Sequence, residues 1–465
     1  MSGQEVTMLE TDEPAVDQKN TLVSVDSPIS VKYIAAGRIA HSVLTVLVSA
    51  INDDRKLINT YDICATGDAL IEQETSKVFK NVQEKGVAGP TTVDVNNCIG
   101  GYSPLDRENA YVLNDGDVVK ISLAVHIDGY TSLVSHTLIA FPNVKPINQV
   151  APTTGSVADV ICATHLATEA ISNLLGTVLY QQLTRTGFYN DEPVNGDRIK
   201  KLVETVGNNF KVKVVPGSSV RRIKRFLVGQ DTVHEVDVKG YAWGSLHVAA
   251  ATDDPDEGDL KKDINTQEPA QVGETWLIDI SFATYSGIES DLNKKNFNQL
   301  SRRTLKPHKD LRPTIIIRDY DEKLSMKLTS ARGVLTEIDN RKSVFPIQIN
   351  SLTTAGAPLG VAALITKKIV SPTQVMTIQG RPTAPVAARE RTTVLLLPSV
   401  KYGGELVRLS GGQLKPSWVH SDFEITNDEV LDLLSETHAG VRTRNIQAVD
   451  ITLEANSEPV EMEIE

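Results

Sequence analysis

The stretch from Val118 to Phe141, VVKISLAVHIDGYTSLVSHTLIAF, reads as two β-rich runs joined by Asp128-Gly129. That dipeptide suits a two-residue type I′ turn, in which both central residues take positive φ, so the stretch is a hairpin with its tip at 128–129. If the ladder carries no bulge, Ser122 faces Ser135, and Leu133 is a diagonal neighbour of Ser122 on the same sheet face. His126 and His136 flank the tip on the two strands. No carboxylate stands at hydrogen-bonding spacing on the same strand as either, so both read as packed or surface histidines rather than as an acid or a base.

On either side of the hairpin, helical and strand patterns alternate. Apolar residues at 31, 34, 35, 39, 43, 44, 47, 48 and 51 keep helical spacing, and Ser27-Pro28 stands where such a helix begins. A second helix is expected from Tyr61 to about Phe79, then a strand near Thr91 to Val95. The order recurs afterwards, with helices at about Ser156 to Leu175 and Asp197 to Asn208. Strands follow at Phe210 to Val215, Trp276 to Ala283, Thr392 to Leu397 and Leu406 to Leu409. Two similar halves imply a pseudo-symmetric core, although no residue-level repeat is visible. Helical and short apolar pieces from Arg332 to Val370 interrupt the second half, so an inserted subdomain is expected over about 324–380. Near the end, Thr426 and Glu429 form a capping box opening a helix over Val430 to Leu434.

Composition sets the outer bounds. A chain of 465 residues with 40% hydrophobic content buries a sizeable core. No run of about 18 apolar residues appears, and the start of the chain is polar and acidic, so neither a membrane span nor a secretory signal is expected. Cys64, Cys98 and Cys162 are widely spaced, which suggests buried structural thiols in a reducing compartment. The net charge of −12 concentrates at the two ends and in Asp253 to Asp259, the pattern of solvated tails and loops. The ends, 1–25 and 441–465, are therefore read as acidic tails.

Two stretches reverse the sign. Lys294, Lys295, Arg302, Arg303, Lys306 and Lys309 open a basic run, and Arg221, Arg222, Lys224 and Arg225 form an acid-free knot. Such patches track nucleic-acid phosphates by releasing counterions, so these ten residues are the candidates for RNA contact. No nucleophile elbow of the GxSxG type, Walker loop or HExxH motif is present.

The stretches KYIAAGRIAHSVL, DVNNCIGGYSP, ETWLIDIS and TTVLLLP, together with the hairpin, keep the order and spacing of type 2 methionine aminopeptidases. The chain therefore resembles that family over about residues 28–440. The resemblance implies an α+β pita-bread fold, with two pseudo-two-fold αβ halves around a curved antiparallel sheet and the extra subdomain of type 2 enzymes, in one domain over 26–440. Three further stretches, VVPGSSVRRIKRFLVGQ, HIDGYTSLVSHT and VRLSGGQLKPSWVHS, look like the fungal nuclear export factors of the large ribosomal subunit precursor, relatives of the proliferation-associated proteins.

The resemblance carries position-by-position implications. The peptidases hold two divalent ions with two Asp, one His and two Glu, oxygen and imidazole donors suited to such cations. Here the Asp places fall on Ser122 and Leu133, the His place on Arg221, the first Glu place on Asp279 and the second on Arg391. The substrate-facing His is replaced by Gly101. One carboxylate survives, and Glu390 beside Arg391 lies a single strand step away, on the opposite face. An arginine about 4 Å from a dication opposes it by about 8 kcal/mol at an effective dielectric of about 20. No cofactor or metal is therefore expected, and Arg221 or Arg391 is expected to fill the site and pair with Asp279.

The resemblance further implies a non-catalytic assembly and nuclear export factor that shuttles between nucleus and cytoplasm. It would bind ribosomal RNA and proteins around the polypeptide exit tunnel of the pre-60S particle, alongside other assembly factors and nucleoporin repeats, with no membrane and no small-molecule substrate. The alternative is a metal-dependent methionine aminopeptidase, or a related hydrolase, with displaced ligands.

Overall fold

The computed structural model describes residues 22, 24–52, 57–141, 151–181, 192–228, 238–244, 264–284, 300, 304–309, 311–320, 326–340, 344–380, 385–398, 404–412, 414, 418–435 and 442–451. At the hairpin tip Asp128 and Gly129 take φ of 55° and 78°, the left-handed values of a type I′ turn. Gly129 is required for a second reason, because a Cβ there would lie 2.6 Å from the Phe226 ring. The hairpin ladder runs without a bulge, pairing Ser122 with Ser135 and Ala124 with Leu133.

In chain order, the first half comprises α1 (Pro28–Asn52), α2 (Thr60–Lys77), β1 (Lys85–Val95), β2 (Cys98–Ile99), β3 (Val118–Ile127) and β4 (Tyr130–Ile139). The second half opens with α3 (Ser156–Gln181), α4 (Gly196–Asn209), β5 (Val212–Val214), β6 (Ser219–Ile223), β7 (Val238–Ala242), β8 (Ile264–Asn265) and β9 (Thr275–Thr284). Then come β10 (Leu305–Pro307), β11 (Ile315–Arg318), α5 (Thr329–Asn340), β12 (Ile347–Gln348), α6 (Ala357–Thr366), β13 (Val370–Pro372) and β14 (Met376–Ile378). The chain returns through β15 (Ala387–Leu397), β16 (Glu405–Arg408), α7 (Asp428–Leu434) and β17 (Arg442–Asn445).

Among the described residues the main sheet follows the path β1-β3-β4-β15-β9-β6-β7-β8, with β5 on β9 and β16 and β17 beyond β15. The two halves meet where β4 runs beside β15, in register at Ser135 and Arg391. Alternation divides each central strand between two faces. On β9, Trp276, Ile278, Ile280 and Phe282 pack with residues of α3 and α4, while Leu277, Asp279 and Ser281 point the other way. On β3, Val119, Ile121, Leu123 and Val125 pack with α1 and α2, leaving Lys120, Ser122, Ala124 and His126 for the opposite face. All four long helices thus cover one face, and the second face is left to build a site.

Among the described residues α1 alone is long and apolar enough to cross a membrane. Its Ala36, Ala40, Val43, Leu44 and Leu47 are instead buried against the sheet, where each leucine contributes about 2 kcal/mol of hydrophobic burial.

Several boundaries differ from expectation. The strand near Thr91 starts at Lys85, carried back by irregular pairing with β3 around Gly89. The inserted subdomain has its own three-stranded sheet and apolar cluster, which begin at β11, ahead of residue 324. It docks on the first half through Gln348, whose amide donates to Ser103 Oγ at 2.6 Å. The helix after Thr426 is capped by Asn427, whose Oδ1 accepts from Val430 N–H at 3.1 Å. Thr426 instead donates to Asn209, and Glu429 bridges to Arg198 at 3.0 Å, so the expected capping box does not form.

The tails are shorter than their composition suggests. Leu22 is buried and bonds to Gly273. Beyond 441, β17 adds a parallel strand to β16, Ile446 is buried, and Val449 N–H donates to Ser42 Oγ. Residues 1–21, 253–259 and 452–465, all expected to be solvated, lie outside the described residues.

Candidate functional site

One row of register partners crosses the face left free by the helices: Thr92, Ser122, Ser135, Arg391, Asp279 and Ser219. A second row, one step of two residues along, holds Asp94, Lys120, Thr137, Arg389 and Ser281. On the other side lie Ala124, Leu133, Thr393, Leu277 and Arg221. Residues two apart on a strand share a face, so the three rows form one patch. It straddles the junction of the two halves, and all five positions that the resemblance assigns to metal ligands fall within it.

Asp279 is the centre of the patch. Only 5% exposed, it accepts from Arg389 Nε at 2.8 Å and Arg389 Nη2 at 2.7 Å, and from Arg391 Nε at 2.9 Å. The Arg389 contact is a bidentate fork; Arg391 adds Nη2 at 2.8 Å to the Oδ2 already used. Burial alone would push the Asp279 carboxyl up, but the two guanidiniums outweigh it and hold it well below the ordinary range.

One carboxylate cannot neutralise two arginines, and the pair divides accordingly. Burial works against both, yet the forked contact with Asp279 leaves Arg389 above its ordinary value. In Arg391, burial and the charge of Arg389 prevail over Asp279, and its pKa falls to about 10. It is still protonated at neutral pH.

Of the two arginines offered as alternatives for Asp279, the structure places Arg391 there. Ser219, rather than Arg221, is in register with Asp279, and Arg221 donates from Nη2 to Val228 O at 3.2 Å. Arg389 was not among the sequence candidates. Its signal was the Arg389-Glu390-Arg391 alternation, which puts two cations on one strand face and the acid on the other. Glu390 indeed turns to the helix-covered face, where it meets His136 Nδ1 at 2.9 Å and accepts from Thr137 N–H at 3.0 Å. His136 therefore has a carboxylate partner from a distant strand, which spacing along its own strand does not reveal. His126 packs on Phe345 with ring centroids 4.7 Å apart, and burial lowers its pKa to about 4.

Lys120 is a second group the sequence candidates omit. Only 2% exposed, it donates from Nζ to Asn96 O at 2.7 Å. Burial lowers its pKa to about 8 despite the nearby Asp94. Asp94 is itself tied to backbone, accepting from Gly101 N–H at 3.0 Å and Tyr102 N–H at 2.9 Å. Where the resemblance expects a histidine, Gly101 thus presents only an amide turned to Asp94. Burial raises the thiols of Cys64, Cys98 and Cys162, as suits unreactive packed cysteines.

The RNA candidates divide into three groups. In the Arg221–Arg225 knot, Arg222 reaches Glu274 at 3.6 Å and Arg225 forms an ion pair with Asp128 at the hairpin tip, which Lys32 joins at 2.5 Å. Burial pushes Asp128 up, but Lys32 and Arg225 overcome it and hold the carboxyl below its ordinary value. These arginines therefore serve internal contacts, and Lys224, half-buried, closes a bridge to Leu227. Lys306 and Lys309 are exposed. Lys294, Lys295, Arg302 and Arg303 lie outside the described residues.

The donor set does not fit a metal. A hydroxyl, an isobutyl group and two arginines occupy four of the five positions, and the single carboxylate is already engaged by two cations. Among the described residues no group of three or more His, Cys, Asp and Glu side chains is placed to hold an ion.

The model of metallopeptidase family M24 matches residues 32–175. The probable metalloprotease arx1 of Schizosaccharomyces pombe is 34% identical over 415 residues, which cover 85% of this chain and 90% of that relative. The chain belongs to the Arx1 family. An Arx1 relative from Yarrowia lipolytica, also named a probable metalloprotease, is 30% identical over 94% of this chain and 96% of its own. Proliferation-associated protein A of Dictyostelium discoideum is 28% identical over 94% of each. The solved structure of a thermophilic Arx1 matches 88% of this chain and 98% of its own with a TM-score of 0.65 at 21% identity, a likeness of fold. The chain is thus an α+β protein of the M24 pita-bread fold.

Proposed function

We propose that this Arx1-family chain is a non-catalytic factor in assembly and nuclear export of the large ribosomal subunit, binding its precursor near the polypeptide exit tunnel and shuttling between nucleus and cytoplasm. One observation carries the non-catalytic part: Asp279, the carboxylate left at the metal positions, is clamped between Arg389 and Arg391. A dication beside them would meet about 8 kcal/mol of repulsion from each arginine at an effective dielectric of about 20. The ribosomal part draws on the resemblance to export factors. Exposed Lys306 and Lys309, with Lys294, Lys295, Arg302 and Arg303 on the same run, are the residues we assign to RNA phosphates. Nucleoporin repeats and other assembly factors complete the set of proposed partners.

A metallo-aminopeptidase is the second reading, favoured by the name of the relatives, probable metalloprotease. Elemental analysis of the purified chain, a methionyl-peptide assay and sedimentation with large-subunit precursors separate the two. The expected result is no stoichiometric metal, no turnover, and co-sedimentation that weakens as salt rises. Tightly held metal with turnover would overturn the proposal.

A further inference from the structure

Among the described residues, the patch around Asp279 carries more positive charge than its own acids neutralise. Arg389, Arg391 and Lys120 face it from two neighbouring rows, against Asp279 and Asp94, which leaves one positive charge even without Arg221. Both arginines spend Nε and Nη2 on Asp279, so the Nη1 edge of each lies outside that cluster. These guanidiniums are not sealed in, for their side chains are 21% and 15% exposed. Excess charge in a half-buried, low-dielectric setting is stabilised by an incoming anion far more than charge on an open surface.

The surroundings narrow the kind of anion. Next to the arginines on the same face stand Leu133, half-buried, and Leu277, buried beneath the surface, and beyond them an apolar cluster with Phe226, Phe345 and Ile223. Ser122 and Ser135 share a hydrogen bond of 2.8 Å and add a neutral polar margin. A planar guanidinium edge matches a carboxylate in two parallel bonds, and Leu133 suits an aliphatic side chain attached close to it. A nucleic-acid phosphate would bring a sugar and a polar backbone against Leu133 instead. An ammonium terminus would be repelled.

We infer that this face binds a peptide carboxylate: Arg391 and Arg389 hold the oxygens, and the adjoining aliphatic side chain rests on Leu133. Positions that the resemblance assigns to cation ligands would thus serve an anion, and the inference holds whether or not the protein engages ribosomal precursors.

The test is fluorescence anisotropy of the full chain with an N-terminally labelled hexapeptide ending in leucine. The free acid is expected to bind at least tenfold tighter than its C-terminal amide. An amidated version with an internal aspartate tells the source of the carboxylate: binding equal to the free acid assigns a side chain, and weak binding assigns the chain end. Arg391→Gln, which leaves the Arg389 fork on Asp279, is expected to lose most of the preference for acid over amide. Leu133→Asp supplies an internal carboxylate beside the arginines and is expected to abolish binding of the free acid with an unchanged or raised melting temperature, which serves as the control for folding. Equal binding of acid and amide, no binding of either, or displacement of the acid by an equal concentration of a short single-stranded RNA would overturn the inference.

Discussion

The β3–β4 hairpin and the β9–β15 pair supply adjoining parts of the same row, yet they depart by different routes from the metal-ligand set that the resemblance assigns. On the hairpin the anionic positions are neutral: Ser122 bonds Ser135, and Leu133 turns to the apolar cluster. On β9 and β15 the carboxylate is retained and cations are brought to it, as Asp279 receives Arg389 and Arg391. Removing charge leaves a region that any small polar residue can fill. Adding opposite charge creates a new internal ion cluster whose members depend on one another, so disruption of the two regions should differ in cost.

The sharpest way to break the contrast is Asp279→Ala, which leaves two half-buried arginines side by side. A loss of about 3–5 kcal/mol is expected in denaturant unfolding, because removing one partner strands the other buried charges. The triple variant Asp279→Leu, Arg389→Met, Arg391→Met is expected to regain most of that loss; if it stays as unstable as the single variant, the cluster is not the cause.

Acid titration addresses the same pair. Because the folded Asp279 is held below its unfolded value of about 3.9, its pairing contributes stability at neutral pH that disappears as the pH falls below that value toward the folded pKa. Unfolding curves between pH 7 and 3 should show this decline in the wild type and a flatter profile in Asp279→Asn. Parallel profiles would remove Asp279 from the acid response.

On the hairpin, Ser122→Ala is expected to cost about 1 kcal/mol, the usual worth of one neutral hydrogen bond. A loss as large as that of Asp279→Ala would collapse the distinction between the two regions. The smallest effect is expected at the tip, where Asp128→Asn keeps a residue tolerant of positive φ and loses only partly exposed ion pairs with Lys32 and Arg225. A thermal shift corresponding to less than about 1 kcal/mol is anticipated.

Much of this was legible before any coordinates. Asp128-Gly129 announced the turn, and the β-rich runs on either side of it announced the unbulged pairing of Ser122 with Ser135. The chemistry of the site was partly legible as well, since serine, leucine and arginine are poor replacements for metal ligands. Arg389 escaped notice because the resemblance assigns a single position on β15, whereas a strand presents residues two apart to the same neighbour. Between the two arginines offered for Asp279 the sequence could not choose; Arg221 stands aside because β6 pairs with β9 through Ser219. The capping box was misread for a local reason: Asn427, one residue on, caps the helix better placed, and Arg198 draws Glu429 away.

The sequence by itself determined the hairpin, the two-faced strands and the poverty of oxygen donors at the positions the resemblance assigns to metal ligands, because turn type, side-chain alternation and donor chemistry are properties of near neighbours along the chain. Only the tertiary structure decided which cations meet Asp279, which carboxylate meets His136, and that the residues after 441 return to the sheet. Most of those contacts join residues more than a hundred positions apart, and their energies depend on register and burial, which arise only when the chain closes on itself.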